Sequence, residues 1–205
     1  MRKMIFATML CAMLLLVGCA GFGIVATSDP LTKLNDAEHL FTVQYRPLPA
    51  ERLIFEAIEI YQKQNDSQGL GHAHREYGDL LLSSSVIKWE KFYRKNGFQD
   101  KSVIFENRVA KSKEYFTKAL EYYRTAEKQL WEAEYFDKLT NLYFNMAWSY
   151  YRLDDRKNSC ELYDKSLAAY TENIRRNPTA KPQVSSDYGS PADQITSEKK
   201  RASCE

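Results

Sequence analysis

Two thirteen-residue stretches of this 205-residue chain, offset by 47 positions, repeat five residues at equal places, and no other feature narrows the possible folds so far. Lys111-Ser-Lys-Glu-Tyr-Phe-Thr-Lys-Ala-Leu-Glu-Tyr-Tyr123 and Asn158-Ser-Cys-Glu-Leu-Tyr-Asp-Lys-Ser-Leu-Ala-Ala-Tyr170 share Ser, Glu, Lys, Leu and Tyr at equal positions. Each has apolar or small residues at helical spacing, so each reads as one helix of a repeated unit. A helix with one apolar stripe cannot stand alone in water, and repeated ones stack. The surrounding text has the same period. Residues 51–64 place Leu53, Ile54, Ala57, Ile58 and Tyr61 on one face, and Asn65-Asp66-Ser67 supplies a turn and a cap. Leu70, Ala73, Tyr77, Leu80 and Leu81 mark a second helix, and residues 86–94, with Ile87 and Trp89, a third that Asn96-Gly97 breaks. A long fourth starts near Ser102 and carries Phe105, Val109, Ser112, Phe116, Ala119, Leu120 and Tyr123; a fifth spans 135–153 and a sixth 157–175. Strand alternation is absent. The expected fold is all-α, about three antiparallel helix pairs stacked into a short solenoid.

Residues 140–170 give the repeat a family likeness. Tyr143, Met146, Ala147 and Tyr150 on one helix, then Ser159, Tyr163 and Ser166 on the next, resemble a tetratricopeptide repeat. The likeness extends over residues 50–175, with unit spacing above the usual length, a long 95–102 loop, Leu70 where a small residue is usual, and no closing proline before Pro178. What the resemblance implies is a curved array whose concave face is lined by the first helix of each pair. On that reading the partner-binding residues are Asn141, Phe144, Trp148, Tyr151 and Arg152 in the last unit, and Arg52, Phe55, Glu59, Gln62 and Lys63 in the first, with the helix over 51–64 and the helix that carries Leu70–Leu81 as one pair. Phe144 and Trp148 serve equally as packing beneath the preceding helix.

The chain opens Met1-Arg2-Lys3, runs apolar from Met4 to Val17 and reaches Leu16-Val17-Gly18-Cys19. A charged start and an apolar run of this length read as an export signal, and the run is too short to span a bilayer, which takes roughly 20 residues. The four closing residues resemble the bacterial lipobox. That resemblance implies removal of residues 1–18, diacylglycerol on the Cys19 sulfur, a further acyl chain on its amino group and, because Ala20 rather than Asp follows, an outer-membrane, periplasm-facing destination. Two of the 29 basic residues leave with the signal, so the remaining 27 balance 27 acidic ones and nothing argues for nucleic acid. Residues 19–49, with Pro47 and Pro49, read as a tether, 50–177 as the helical domain, and 178–205 as a disordered polar tail. With Cys11 removed and Cys19 acylated, Cys160 and Cys204 remain; a disulfide framework is excluded, and Cys160 either packs as a small apolar side chain or pairs with Cys204.

His72-x-His74-x-Glu76 is the one cluster with a metal-like composition, but helical residues two apart point about 200° from each other, so a buried, hydrogen-bonded His74 is expected instead. No catalytic motif stands out, and neither a metal nor a further cofactor is expected. The reading is a non-catalytic scaffold for another envelope or secreted protein, touching the membrane through its anchor only. An immunity lipoprotein that neutralises a secreted antibacterial effector, for example a type VI phospholipase, is the alternative, and a glycan or peptidoglycan binder a further one.

Overall fold

The computed structural model describes residues 27–179 and 188–204, so the export signal and lipobox (1–19) lie outside the described residues. The described residues form nine helices and no strand: α1 Pro30–Thr42, α2 Pro47–Gln64, α3 Ser67–Leu82, α4 Ser84–Lys88, α5 Glu90–Asn96, α6 Arg108–Glu132, α7 Phe136–Arg152, α8 Arg156–Arg176 and α9 Pro191–Arg201. The most extensive packing is within three antiparallel pairs, α1 with α2, α3 with α6 and α7 with α8. Lesser contacts of α2 with α3 and of α6 with α7 join one pair to the next, and α9 closes the array on α8. The fold is all-α, three stacked helix pairs.

The internal repetition is physical. Ser112 and Ser159, Phe116 and Tyr163, and Ala119 and Ser166 occupy equal places on α6 and α8, and all six are buried. Both helices are therefore second members of their pairs. The small side chains let the partner backbone come close: Ser159 Oγ donates to Ala147 O at 2.9 Å and Ser166 Oγ to Thr140 O at 2.8 Å, both across to α7. The turns repeat too. Asn65, Glu134 and Asp154 each take a left-handed backbone (φ 53°, 55° and 64°) at a helix end. One residue further on, the N–H of Asp66, Tyr135 and Asp155 reaches back to Tyr61, Leu130 and Tyr150 O at 3.0 Å in every case.

Helix α3 lies at the centre of the array and carries three glycines. A Cβ on Gly71 would fall 2.5 Å from the Tyr123 ring and one on Gly69 2.1 Å from the Tyr61 ring. These glycines are grooves into which aromatic rings of α2 and α6 lie flat, and their cost in helix propensity, about 1 kcal/mol each, is offset by that packing.

Several sequence expectations change. Residues 19–49 are not only a tether, because Asp29 caps a helix begun by Pro30, its carboxylate accepting from Thr32 N at 2.8 Å, and Leu34, Ala37, Leu40 and Phe41 are buried. Pro47 likewise starts α2 in the first turn, where the missing N–H is no loss. The tail is not disordered throughout: Ser190 caps α9, Ile195 and Ala202 join the core, and Cys204 forms a disulfide with Cys160, Cα–Cα 5.4 Å. Residues 86–94 split at Trp89 into α4 and α5, leaving Ile87 and Trp89 exposed. The fourth helix begins at Arg108 rather than Ser102, since Asn107 accepts from Ile104 N at 2.9 Å and holds a turn there. Finally, α2 and α3 are not one pair: α2 is the second helix of the first unit, and α3 the first helix of the next.

Candidate functional site

With the pairs assigned in this way, the first helices are α1, α3 and α7, and contacts of α1 with α3 and of α3 with α7 set them side by side. A groove follows. One section, of about 410 Å³, is lined by Leu34 and Glu38 of α1, His72, Arg75 and Glu76 of α3, and Asn141 and Asn145 of α7. The next, about 290 Å³, shares Glu38, Arg75 and Glu76 and adds Asp79, Trp148 and Arg152. The two sections run on from each other across all three helices.

The groove floor is a charge network centred on α3. Arg75 contacts Glu76 and donates from Nη1 to Asp79 Oδ2 at 3.1 Å. Trp148 Nε1 donates to the same Asp79 oxygen at 3.0 Å, and Arg152 Nε stands 3.1 Å from Oδ1 as an ion pair. Asp79 thus gathers a cation from its own helix and a cation and an indole from α7. Burial raises the Asp79 carboxyl, against the pull of Arg75 and Arg152. Burial likewise raises Glu76, which is 4 % exposed. Burial also works against the Arg75 charge, but Glu76, Tyr123 and Asp79 outweigh it and keep Arg75 firmly protonated. The desolvation cost of the pair therefore falls on the acid, because a guanidinium stays protonated at any working pH. The network is held from two helices.

The histidines part company. His72 turns toward α7, its Nε2 3.1 Å from Asn145 Nδ2, with its ring edge on Tyr123 at 5.6 Å. His74 lies in the opposite interface, stacked on the Tyr122 ring at 5.3 Å. It is buried as expected, but neither ring nitrogen has a hydrogen-bond partner, so packing against the Tyr122 and Tyr115 rings holds it. Desolvation lowers both to about 3, leaving neutral rings. Among the described residues no group of three or more His, Cys, Asp or Glu is placed to hold a metal ion.

Of the ten expected partner-binding residues, the structure brings three to the groove: Asn141, Trp148 and Arg152. Phe144 and Tyr151 turn the other way, into the cluster that contains Ile195 and Ala202 of α9, where Phe144 meets the Tyr163 ring at 5.7 Å. The five on α2 lie away from the groove, because α2 is a second helix. Phe55 packs edge-on against Tyr77 at 5.0 Å, Arg52 pairs with Glu56, and Glu59, Gln62 and Lys63 are exposed. Sequence reasoning missed Glu38, Arg75 and Asp79. Their signal is present: Arg75, Glu76 and Asp79 sit beside an otherwise apolar, glycine-rich stripe, where charge needs a partner. No family model, no curated protein and no solved structure matches the chain.

Proposed function

We propose that the protein is a non-catalytic, lipid-anchored scaffold of the bacterial outer membrane that holds a segment of another envelope protein in the groove of α1, α3 and α7. The observation that carries this reading is the groove itself: three helices contribute to one trough whose floor pairs Arg75, Glu76, Asp79, Trp148 and Arg152. Such a floor presents two guanidiniums and an indole held in place by one carboxylate, side chains of the types that dominate recognition hot spots. The tetratricopeptide-like pattern of residues 140–170 supports the same face. Export is supported by the Cys160–Cys204 disulfide, since such bonds persist in oxidising compartments such as the periplasm. Cys19 would supply the anchor, its acyl chains adding about 0.8 kcal/mol per buried CH₂. No helix among the described residues is long and apolar enough to cross a membrane.

The test has two arms. Fatty-acid labelling should mark the wild-type chain and fail for Cys19→Ala, which should leave the membrane fraction. Affinity capture from envelopes should then lose its specific partner with Asn141→Arg or Glu38→Arg, two exposed groove positions, and keep it with Glu59→Arg on α2. Loss with Glu59→Arg alone would place the binding face elsewhere.

A further inference from the structure

One edge of the array collects the start of α1, the α2–α3 turn and the α6–α7 turn. The charges of Asp66 and Asp29 both act on the Tyr61 hydroxyl, and Leu31 and Leu34 line the groove together with Lys138 at the start of α7. On this edge three large apolar side chains face outward: Leu31 is 49 % exposed, Trp131 58 % and Tyr135 52 %. Trp131 rests edge-on against Phe136 at 5.8 Å, and Lys138 Nζ stands 5.1 Å from the Tyr135 ring, so the aromatic pair is braced rather than free. Beside it the charges cancel, Lys128 with Glu132 and Arg176 with Glu134.

We infer that this edge docks on the bilayer that holds the anchor, with Trp131, Tyr135 and Leu31 entering the membrane–water interface. The inference rests on the acylated Cys19 proposed above. Seven residues lie between Cys19 and Thr27, and these eight chain steps span at most about 28 Å when fully extended, so the chain leaves for its anchor from the edge that carries the aromatic pair. Trp and Tyr are the side chains that settle at headgroup depth, ring in the apolar zone and polar end outside. A tether this short gives an effective concentration in the millimolar range, so a patch with feeble affinity of its own is engaged once the anchor is set.

The far edge also exposes apolar groups, Val43, Tyr45, Ile87 and Trp89. There Trp89 Nε1 donates to Tyr45 O at 3.1 Å and Lys88 covers the Tyr45 ring. Helix α1, about 20 Å long, lies between that patch and the tether. The near edge is the one aimed at the membrane.

The experiment uses the chain from Cys19 with its disulfide formed, so that the Cys19 thiol is the one left to couple to a maleimide lipid in phosphatidylethanolamine–phosphatidylglycerol vesicles with brominated acyl chains. Coupling bypasses cellular acylation, and fatty-acid labelling in cells tests the anchor separately. In single-tryptophan versions (the other two as Phe), Trp131 should shift to the blue and be quenched, while Trp89 and Trp148 stay unchanged. In the otherwise wild-type chain, Trp131→Ser with Tyr135→Ser should abolish the quenched component. The same pair of changes should weaken vesicle partitioning of the uncoupled Cys19→Ala chain by about tenfold. Quenching of Trp89 instead, or Trp131 emission identical with and without lipid, would overturn the inference. So would a concentration-dependent blue shift of Trp131 without vesicles, which would assign the edge to a second copy of the chain.

Discussion

Asp79 is the point at which two helices of the groove are joined, and its removal has a calculable cost. In Asp79→Ala, Trp148 loses the acceptor 3.0 Å from its indole nitrogen and Arg152 loses its carboxylate, whereas Arg75 keeps Glu76. A hydrogen bond to a charged acceptor contributes about 1.5 kcal/mol at the lower end of its range. Arg152 has a side chain 26 % exposed and recovers water, so its lost ion pair counts for about 0.5 kcal/mol. The expected destabilisation is about 2 kcal/mol, well short of the figure for a fully buried pair. Asp79→Asn keeps an acceptor for Trp148 and should lose about half as much. Urea unfolding at neutral pH, followed by circular dichroism, measures both. A double-mutant cycle with Trp148→Phe should return a coupling of about 1 kcal/mol. Equal losses in the Ala and Asn variants, or a coupling near zero, would refute the claim that Asp79 ties α3 to α7 through the indole.

Three further substitutions act on the glycine contact, the disulfide and a buried histidine. Gly71→Ala places a methyl 2.5 Å from the Tyr123 ring; overpacking of about 1–3 kcal/mol should exceed the helix-propensity gain of about 1 kcal/mol, giving a net loss in urea unfolding. Replacing Cys160 and Cys204 by Ser opens a loop of sequence separation 44, for which the chain-entropy treatment gives about 4 kcal/mol as an upper figure; amide exchange should show α9 loosening first, because its contacts are with α8. Burial lowers His74 from 6.5 to about 3, so its contribution is complete above pH 6.5 and is lost as pH falls toward 3. At pH 5 that amounts to about 2 kcal/mol, and His74→Phe should flatten the acid limb of a stability profile.

Much of the architecture is legible in the sequence, and the exceptions have physical causes. The Ser112–Tyr123 and Ser159–Tyr170 texts announce two equivalent helices because close approach needs small side chains at fixed places, and Ser112, Ser159, Phe116 and Tyr163 are all buried. Pairing is harder to read. Helices α2 and α3 are separated by a two-residue turn and look like one unit, yet α3 packs chiefly on α6, past the α4–α5 insertion. That choice is written in Gly71 and Gly78, which receive Tyr123 and Phe116, a contact that becomes visible once the rings are in place. Helix α1 is signalled by Asp29-Pro30 followed by Leu34, Ala37, Leu40 and Phe41, a pattern masked by the prolines at 47 and 49 that look like the end of a tether. The mistaken pairing displaced half of the expected site. Once α2 is a second helix, Arg52, Phe55, Glu59, Gln62 and Lys63 leave the groove together, and Glu38, Arg75 and Asp79 take their place.

The central claim is that α1, α3 and α7 lie side by side and form one groove. Cysteines at Asn35 and Asn141, which line the same trough, test it directly with a short bis-maleimide, the native disulfide left intact. An intramolecular cross-link should form between these two positions and none between Glu59→Cys and Asn141→Cys. The reverse result would mean that α2, not α1, faces α7, and the groove described above would not exist.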